Sequence, residues 1–198
     1  MEDCIATIVD LEWEAFQGVH NVGGRASCQD EHETFVIMRK SQFLTWDQAT
    51  RESYLKDLLV AKEQGRNLLT EKYARMMAHT SPLEYKTLEH ALPLIAEEAA
   101  ALVDEIASAQ LAWQEEYARA FPRLAARGRP VDDNAWGLTG FETYLRGELL
   151  TYSLATLRHY AAHIRKLQEQ GVNMSVLLME HTVHMYGYSS LQEAEAGA

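Results

Sequence analysis

The sequence predicts an all-α fold, a single compact multi-helix bundle of about seven to eight helices. Apolar residues recur at helical spacing along almost the whole chain. No stretch offers alternating β-branched residues bounded by turns, and helix start and stop signals divide the chain at regular intervals.

A first helix is expected over residues 3–17, followed by a turn-rich segment over 18–27. Ser27 or Asp30 can cap a second helix ending near Ser41, and Thr45 a third that stops at Gly65. Asn67 starts a fourth, ending near His79. Pro82 stands at the first helical position of a fifth, which Pro93 interrupts. A long helix then carries Ile95, Ala99, Leu102, Ile106, Trp113 and Tyr117 on one stripe as far as Phe121 and Pro122, with Gln110 its polar interruption. Residues 127–137 read as a loop. Thr139-Gly140-Phe141-Glu142 matches a capping box and opens a helix expected to run to about Gln170, where Gly171 ends it. Asn173 caps a final apolar helix through Met185, and residues 189–198 read as a frayed tail. With no internal repeat and no linker, residues 1–188 read as one helical domain.

At 198 residues, with 47% hydrophobic and 24% charged side chains, the chain is long enough to bury a core without staples. A formal charge of −11 argues against binding nucleic acid, which needs a clustered cationic face, and against anionic membranes. Met1-Glu2-Asp3-Cys4 lacks the basic stretch of a signal peptide, and no apolar run reaches membrane-spanning length, so a cytoplasmic protein is expected. Two cysteines, Cys4 and Cys28, fall short of a disulfide framework or a cysteine-based zinc site.

Function is sought where a polar side chain interrupts an apolar stripe, because burial is costly without a partner or a task. On the first helix Ile5, Ile8, Val9, Trp13 and Phe16 share a face, and Glu12 lies near its centre. Arg25, Arg39 and Lys72 are its candidate partners. A buried ion pair that fixes the fold and a catalytic or ligand-binding carboxylate are both open readings. In the segment after that helix, Gly23 and Gly24 allow close backbone approach to a ligand, and Cys28 falls near a helix N-terminus beside Arg25, a setting that lowers a thiol pKa. His20 or His32 would then be the base. The alternatives are a polar ligand pocket or a purely structural connection. A third constellation pairs His159 and His163, four apart, with His181 and His184, three apart on the next helix. If those helices neighbour each other, the imidazoles together with Glu148 or Glu180 could hold Zn²⁺ or Fe²⁺, the alternative being histidines hydrogen-bonded within a helix pair. No Glu-x-x-His pair and no His-Glu-x-x-His run supports the metal reading.

Leu11-Glu12-Trp13, the run Gly23-Gly24-Arg25-Ala26-Ser27-Cys28-Gln29, Met38-Arg39-Lys40-Ser41-Gln42-Phe43, Gly65-Arg66-Asn67-Leu68 and Glu71-Lys72-Tyr73-Ala74-Arg75-Met76-Met77 resemble an uncharacterised bacterial family called domain of unknown function 4125. The likeness covers nearly the whole chain and brings no activity with it. Some chains similar to this family carry a nucleotidyltransferase-like domain upstream, which implies a helical partner supplying a substrate pocket. Paired metal-binding aspartates for such a transfer are not found here.

The resulting expectation is a pocket for a small amine- or carboxylate-bearing metabolite, built from the first helix and the Gly-Gly-Arg loop. Glu12 and Cys28 are the candidate catalytic groups, with Asn21, Arg25, Gln29, Arg39 and Lys72 holding the ligand. On this view Glu12→Gln removes binding with little change in melting temperature. The rival expectation is a structural or interaction module whose last helix docks a partner or a second copy. Whether the protein is an enzyme, and which cofactor it takes, are left open by the residues.

Overall fold

The computed structural model describes residues 2–20, 24–131 and 139–198. Among them are eleven α-helices and no strand. The order is α1 Glu2–Gln17, α2 His32–Leu44, α3 Gln48–Glu63, α4 Leu68–Thr80, α5 Pro82–Leu88, α6 Glu97–Ala120, α7 Pro122–Ala125, α8 Phe141–Leu149, α9 Leu154–Glu169, α10 Met174–Met185 and α11 Leu191–Ala196, with short 3₁₀ turns at Ser27–Asp30 and Glu89–Ala91. The all-helical expectation holds, and the helix count exceeds it for local reasons.

The helix expected to run unbroken from Thr139 to Gln170 is two helices. The Ser153 hydroxyl accepts the Thr156 N–H at 3.2 Å and starts α9 afresh, while the Thr151 hydroxyl donates back to the Glu148 carbonyl at 2.7 Å. Asp57 on α3 stabilises the break by accepting from the Ser153 N–H at 2.9 Å and the Thr156 hydroxyl at 2.7 Å. The start of α8 has Gly140 at its cap without a side-chain bond, so the capping box is not formed. The cap of α3 is Asp47 rather than Thr45, its carboxylate accepting from the Thr50 N–H at 2.9 Å. Asn67 and Asn173 cap α4 and α10 as their positions suggest, and Gly171, at φ +65°, closes α9 in a conformation that disfavours other residues.

The tail is ordered where fraying was expected. Ser190 caps α11, Leu191 and Ala194 are buried against Phe121, Leu124 and Val183, and the Glu195 carboxylate accepts from the backbone N–H groups of Arg123 and Leu124 at 2.9 and 2.8 Å. One acid thereby fastens two short helices.

The main core joins α1, α2, α3, α6, α8 and α9 around Ile5, Ile8, Phe43, Ile106, Leu149 and Ile164, all at most 2% exposed. Phe43, Trp46, Tyr54, Tyr152 and Tyr160 form a chain of ring contacts with centroids 4.7 to 5.9 Å apart. Helices α4 and α8 pack closely because residue 147 is glycine. A Cβ there would lie 2.6 Å from Met76 Cγ and 3.1 Å from the Lys72 carbonyl oxygen. That close approach brings Lys72 and Glu148 together.

Candidate functional site

Glu12 is 1% exposed on the apolar face of α1, and its partner is Arg39 from α2. The guanidinium grips the carboxylate with two bonds, Nε to Oε2 at 2.6 Å and Nη2 to Oε1 at 2.5 Å. The Tyr54 hydroxyl adds a third, donating to Oε1 at 2.6 Å. Arg39 also reaches Glu148 of α8, through Nη2 at 3.1 Å and Nη1 at 3.4 Å, and the Gln42 amide oxygen through Nη1 at 2.7 Å. All five guanidinium N–H groups are then engaged. Glu148 further accepts from Lys72 Nζ at 2.5 Å, Gln42 Nε2 at 3.1 Å and the Tyr152 hydroxyl at 2.9 Å. Lys72 Nζ lies 3.4 Å from the centre of the Tyr144 ring, and Arg129 covers the same ring at 4.0 Å.

Two carboxylates and two cations thus neutralise one another across four helices, inside the bundle. Burial alone would raise the Glu148 pKa, but the charges of Arg39 and Lys72 hold it well below the usual carboxylate range. Burial, reinforced by the neighbouring carboxylates, pushes the hydroxyls of Tyr54 and Tyr152 well up, so both remain protonated donors. The guanidinium of Arg39 loses solvent on burial, yet Glu12 and Glu148 more than compensate and fix its charge.

Above this network lies a cavity of about 450 Å³. Glu12, Tyr54, Lys72 and Glu148 are its buried base, whereas Cys28, Glu31, Thr34, Met38 and Arg129 are exposed at its rim. Phe16, Phe35, Leu69, Leu145, Leu178 and Met179 supply mainly apolar walls. The carboxamide of Gln114 and the hydroxyl of Ser175 also line it and make no hydrogen bond among the described residues.

From the quoted motifs, Glu12, Arg39, Gln42 and Lys72 converge on the base of that cavity. A family model described as a protein of unknown function, DUF4125, matches residues 2–196. The chain belongs to this family. No curated protein and no solved structure matches it. In this DUF4125 chain, then, the geometry itself has to show what the site residues do.

Of the residues singled out from sequence, Glu12, Arg39 and Lys72 come together, and Cys28 reaches the cavity rim. Arg25 and Gln29 do not join them, because they are spent on the loop. Arg25 bonds Asp30 at 2.9 Å, Gln17 at 2.5 Å and the Gln29 carbonyl at 2.7 Å. The Gln29 carboxamide accepts from the Ala26 N–H at 3.0 Å and donates to the carbonyls of Phe16 and Val19 at 2.8 and 3.1 Å, pinning the loop to the end of α1. The Arg25 guanidinium is thus committed to Asp30, Gln17 and the Gln29 carbonyl. Asn21 and Gly23 lie outside the described residues.

The four histidines stay apart. His159 is exposed on α9, His163 Nε2 bonds the Thr45 carbonyl at 2.8 Å, and His184 Nε2 bonds the Ser189 carbonyl at 3.1 Å. His181 is partly buried on α10, and burial lowers its pKa. Helix α10 packs on α2 and α6, whereas α9 packs on α3 and α6, so their histidines do not converge. Among the described residues no group of three or more His, Cys, Asp or Glu is placed to hold a metal ion.

The central residue the sequence reading did not place here is Glu148, weighed there only as a metal ligand. Its signal was the same as that of Glu12, since it stands three residues after Leu145 and four before Tyr152 on an apolar stripe. Tyr54, Gln42 and Tyr144 carried no such signal, because a tyrosine or glutamine on a helix is ordinary until its neighbours are known.

Proposed function

We propose that the protein binds a small amphipathic molecule in the cavity above the Glu12–Arg39–Glu148–Lys72 network. The observation that carries this reading is the cavity itself, of a volume suited to a metabolite, with apolar walls and a polar base. The network favours binding over acid–base chemistry. Glu12 already accepts three bonds from charged or acidic donors, and every Arg39 donor is engaged, so neither is poised to exchange a proton with a ligand. Helices α1, α2, α4, α6, α8 and α10 all contribute to the pocket, and among the described residues of the Gly-Gly-Arg-Ala-Ser-Cys-Gln run Cys28 alone borders it.

Titration with the neutral fluorescent probe N-phenyl-1-naphthylamine tests the reading. Saturable binding of one probe per chain is expected, and Leu178→Trp, which fills the cavity from α10, should remove it while leaving the helical circular dichroism intact. No saturable binding, or binding indifferent to that substitution, refutes it.

A second reading as an interaction module is favoured by Leu83 and Leu94, 82% and 99% exposed on either side of the 3₁₀ turn Glu89–Ala91. Light scattering tests self-association through that segment. A concentration-dependent dimer abolished by Leu94→Lys supports it, and a monomer at all concentrations counts against it.

A further inference from the structure

We propose that the occupant of the cavity carries a carboxylate head, held between Lys72 and Arg129 beside the Tyr144 ring, with its apolar body along Phe35, Leu178 and Met179. This rests on the ligand-binding reading and narrows it to one chemical class.

The argument starts from the donors left over. The cavity is lined by three acids, Glu12, Glu31 and Glu148, and three bases, Arg39, Lys72 and Arg129. Arg39 has no N–H to offer, and both Glu12 and Glu148 are held by it. Lys72 has three N–H groups. One is given to Glu148 and another faces the Tyr144 ring, so a further donor is left for a ligand. Arg129 makes one hydrogen bond, from Nη1 to the Thr139 carbonyl at 3.3 Å, and has no carboxylate partner among the described residues.

Both cations stand on the same ring, at 3.4 and 4.0 Å from its centre, so they lie no farther apart than the sum of those distances. The ring's electron-rich faces attract each of them, but the two charges repel one another. A carboxylate reaching both removes that repulsion and gains charge-assisted hydrogen bonds. An ammonium head would add a further positive charge beside them and would find the buried carboxylates already taken. Glu31 does not reverse this balance, because it stands at the N-terminal end of α2, where the helix dipole offsets its charge. The rest of the wall offers the apolar contact that a hydrocarbon or aromatic body needs.

The test is calorimetric titration of the full chain with decanoate, 1-decanol and decylamine, which share one tail and differ in the head. Decanoate is expected to bind at least about tenfold more tightly than 1-decanol, with decylamine weakest. Arg129 is exposed, so Arg129→Gln should fold normally and weaken decanoate several-fold toward the level of the alcohol without changing the alcohol, Lys72 keeping the remainder of the preference. An alcohol or amine that binds as well as the acid overturns the head assignment. So does an acid preference that Arg129→Gln leaves undiminished, or a decanoate that fails to displace bound N-phenyl-1-naphthylamine, while the cavity reading stands in each case. If neither the naphthylamine nor any of the three probes binds, the cavity reading itself has failed and the head assignment falls with it.

Discussion

Glu12→Gln separates the structure from the expectation raised by the sequence, because the two give opposite answers for stability. The substitution keeps the side-chain shape, removes the negative charge, and turns an NH₂ group toward the donors of Arg39 or Tyr54. Removing one partner of a buried ion pair costs about 3–5 kcal/mol. Arg39 retains Glu148, so the lower end, about 3 kcal/mol, is expected here. For a chain of this length each kcal/mol moves the melting temperature by roughly 2–4 °C, which gives a fall of roughly 6–12 °C. Urea unfolding at pH 7, followed by circular dichroism, should show a lower midpoint with an unchanged slope. The double variant Glu12→Gln/Arg39→Met removes the stranded charge as well, and should be less destabilised than the sum of the singles by at least about 1 kcal/mol. A loss below about 1 kcal/mol for Glu12→Gln, or additive single effects, would refute the view of Glu12 as the structural counter-charge of Arg39.

Two further outcomes follow from the same geometry. Gly147→Val must push α4 from α8, because even a Cβ meets Met76 Cγ at 2.6 Å. A stability loss of about 1–3 kcal/mol is expected, together with weaker probe binding, and a neutral Gly147→Val would show that the Lys72–Glu148 contact does not depend on that close approach. The pH dependence is set by Glu148, whose folded pKa lies far below its unfolded value of about 4.3. Between those values the unfolded chain binds the extra proton, so the stabilisation is complete above the unfolded pKa and is lost progressively as pH falls toward the folded one. Urea midpoints should therefore drop steadily below about pH 5. Glu148→Gln should flatten that slope, and an unchanged slope in the variant would place the acid sensitivity elsewhere.

The local pattern of the chain was enough to determine its class, several of its helix boundaries and one pole of its site. Periodicity marks α1, α4 and α6, a continuous apolar run marks α10, and Asn67, Asn173 and Gly171 mark termini, because caps and left-handed turns act over three or four residues of neighbouring chain. Glu12 was legible for a related reason. A charge at the centre of an apolar stripe must be buried, and a buried charge needs a partner. Which partner it takes is decided by packing. Arg25 and Lys72 were as plausible as Arg39 until Gln29 and Asp30 claimed the first and Glu148 the second. The break at Ser153 is fixed by Asp57, some 96 residues earlier in the chain, and the histidines are kept apart because α9 packs on α3 and α6 whereas α10 packs on α2 and α6. The tail is ordered by Glu195 meeting two N–H groups of α7. Apart from the local contacts of Arg25, each of these joins residues far apart in sequence, whose distance no spacing rule contains. The sequence by itself determined that this chain is helical and carries a charge it must bury. Only the tertiary structure decided that the charge is neutralised across four helices and roofed by a cavity, because both depend on contacts between helices distant in sequence, from Arg39 on Glu12 to the close approach of α4 and α8 at Gly147.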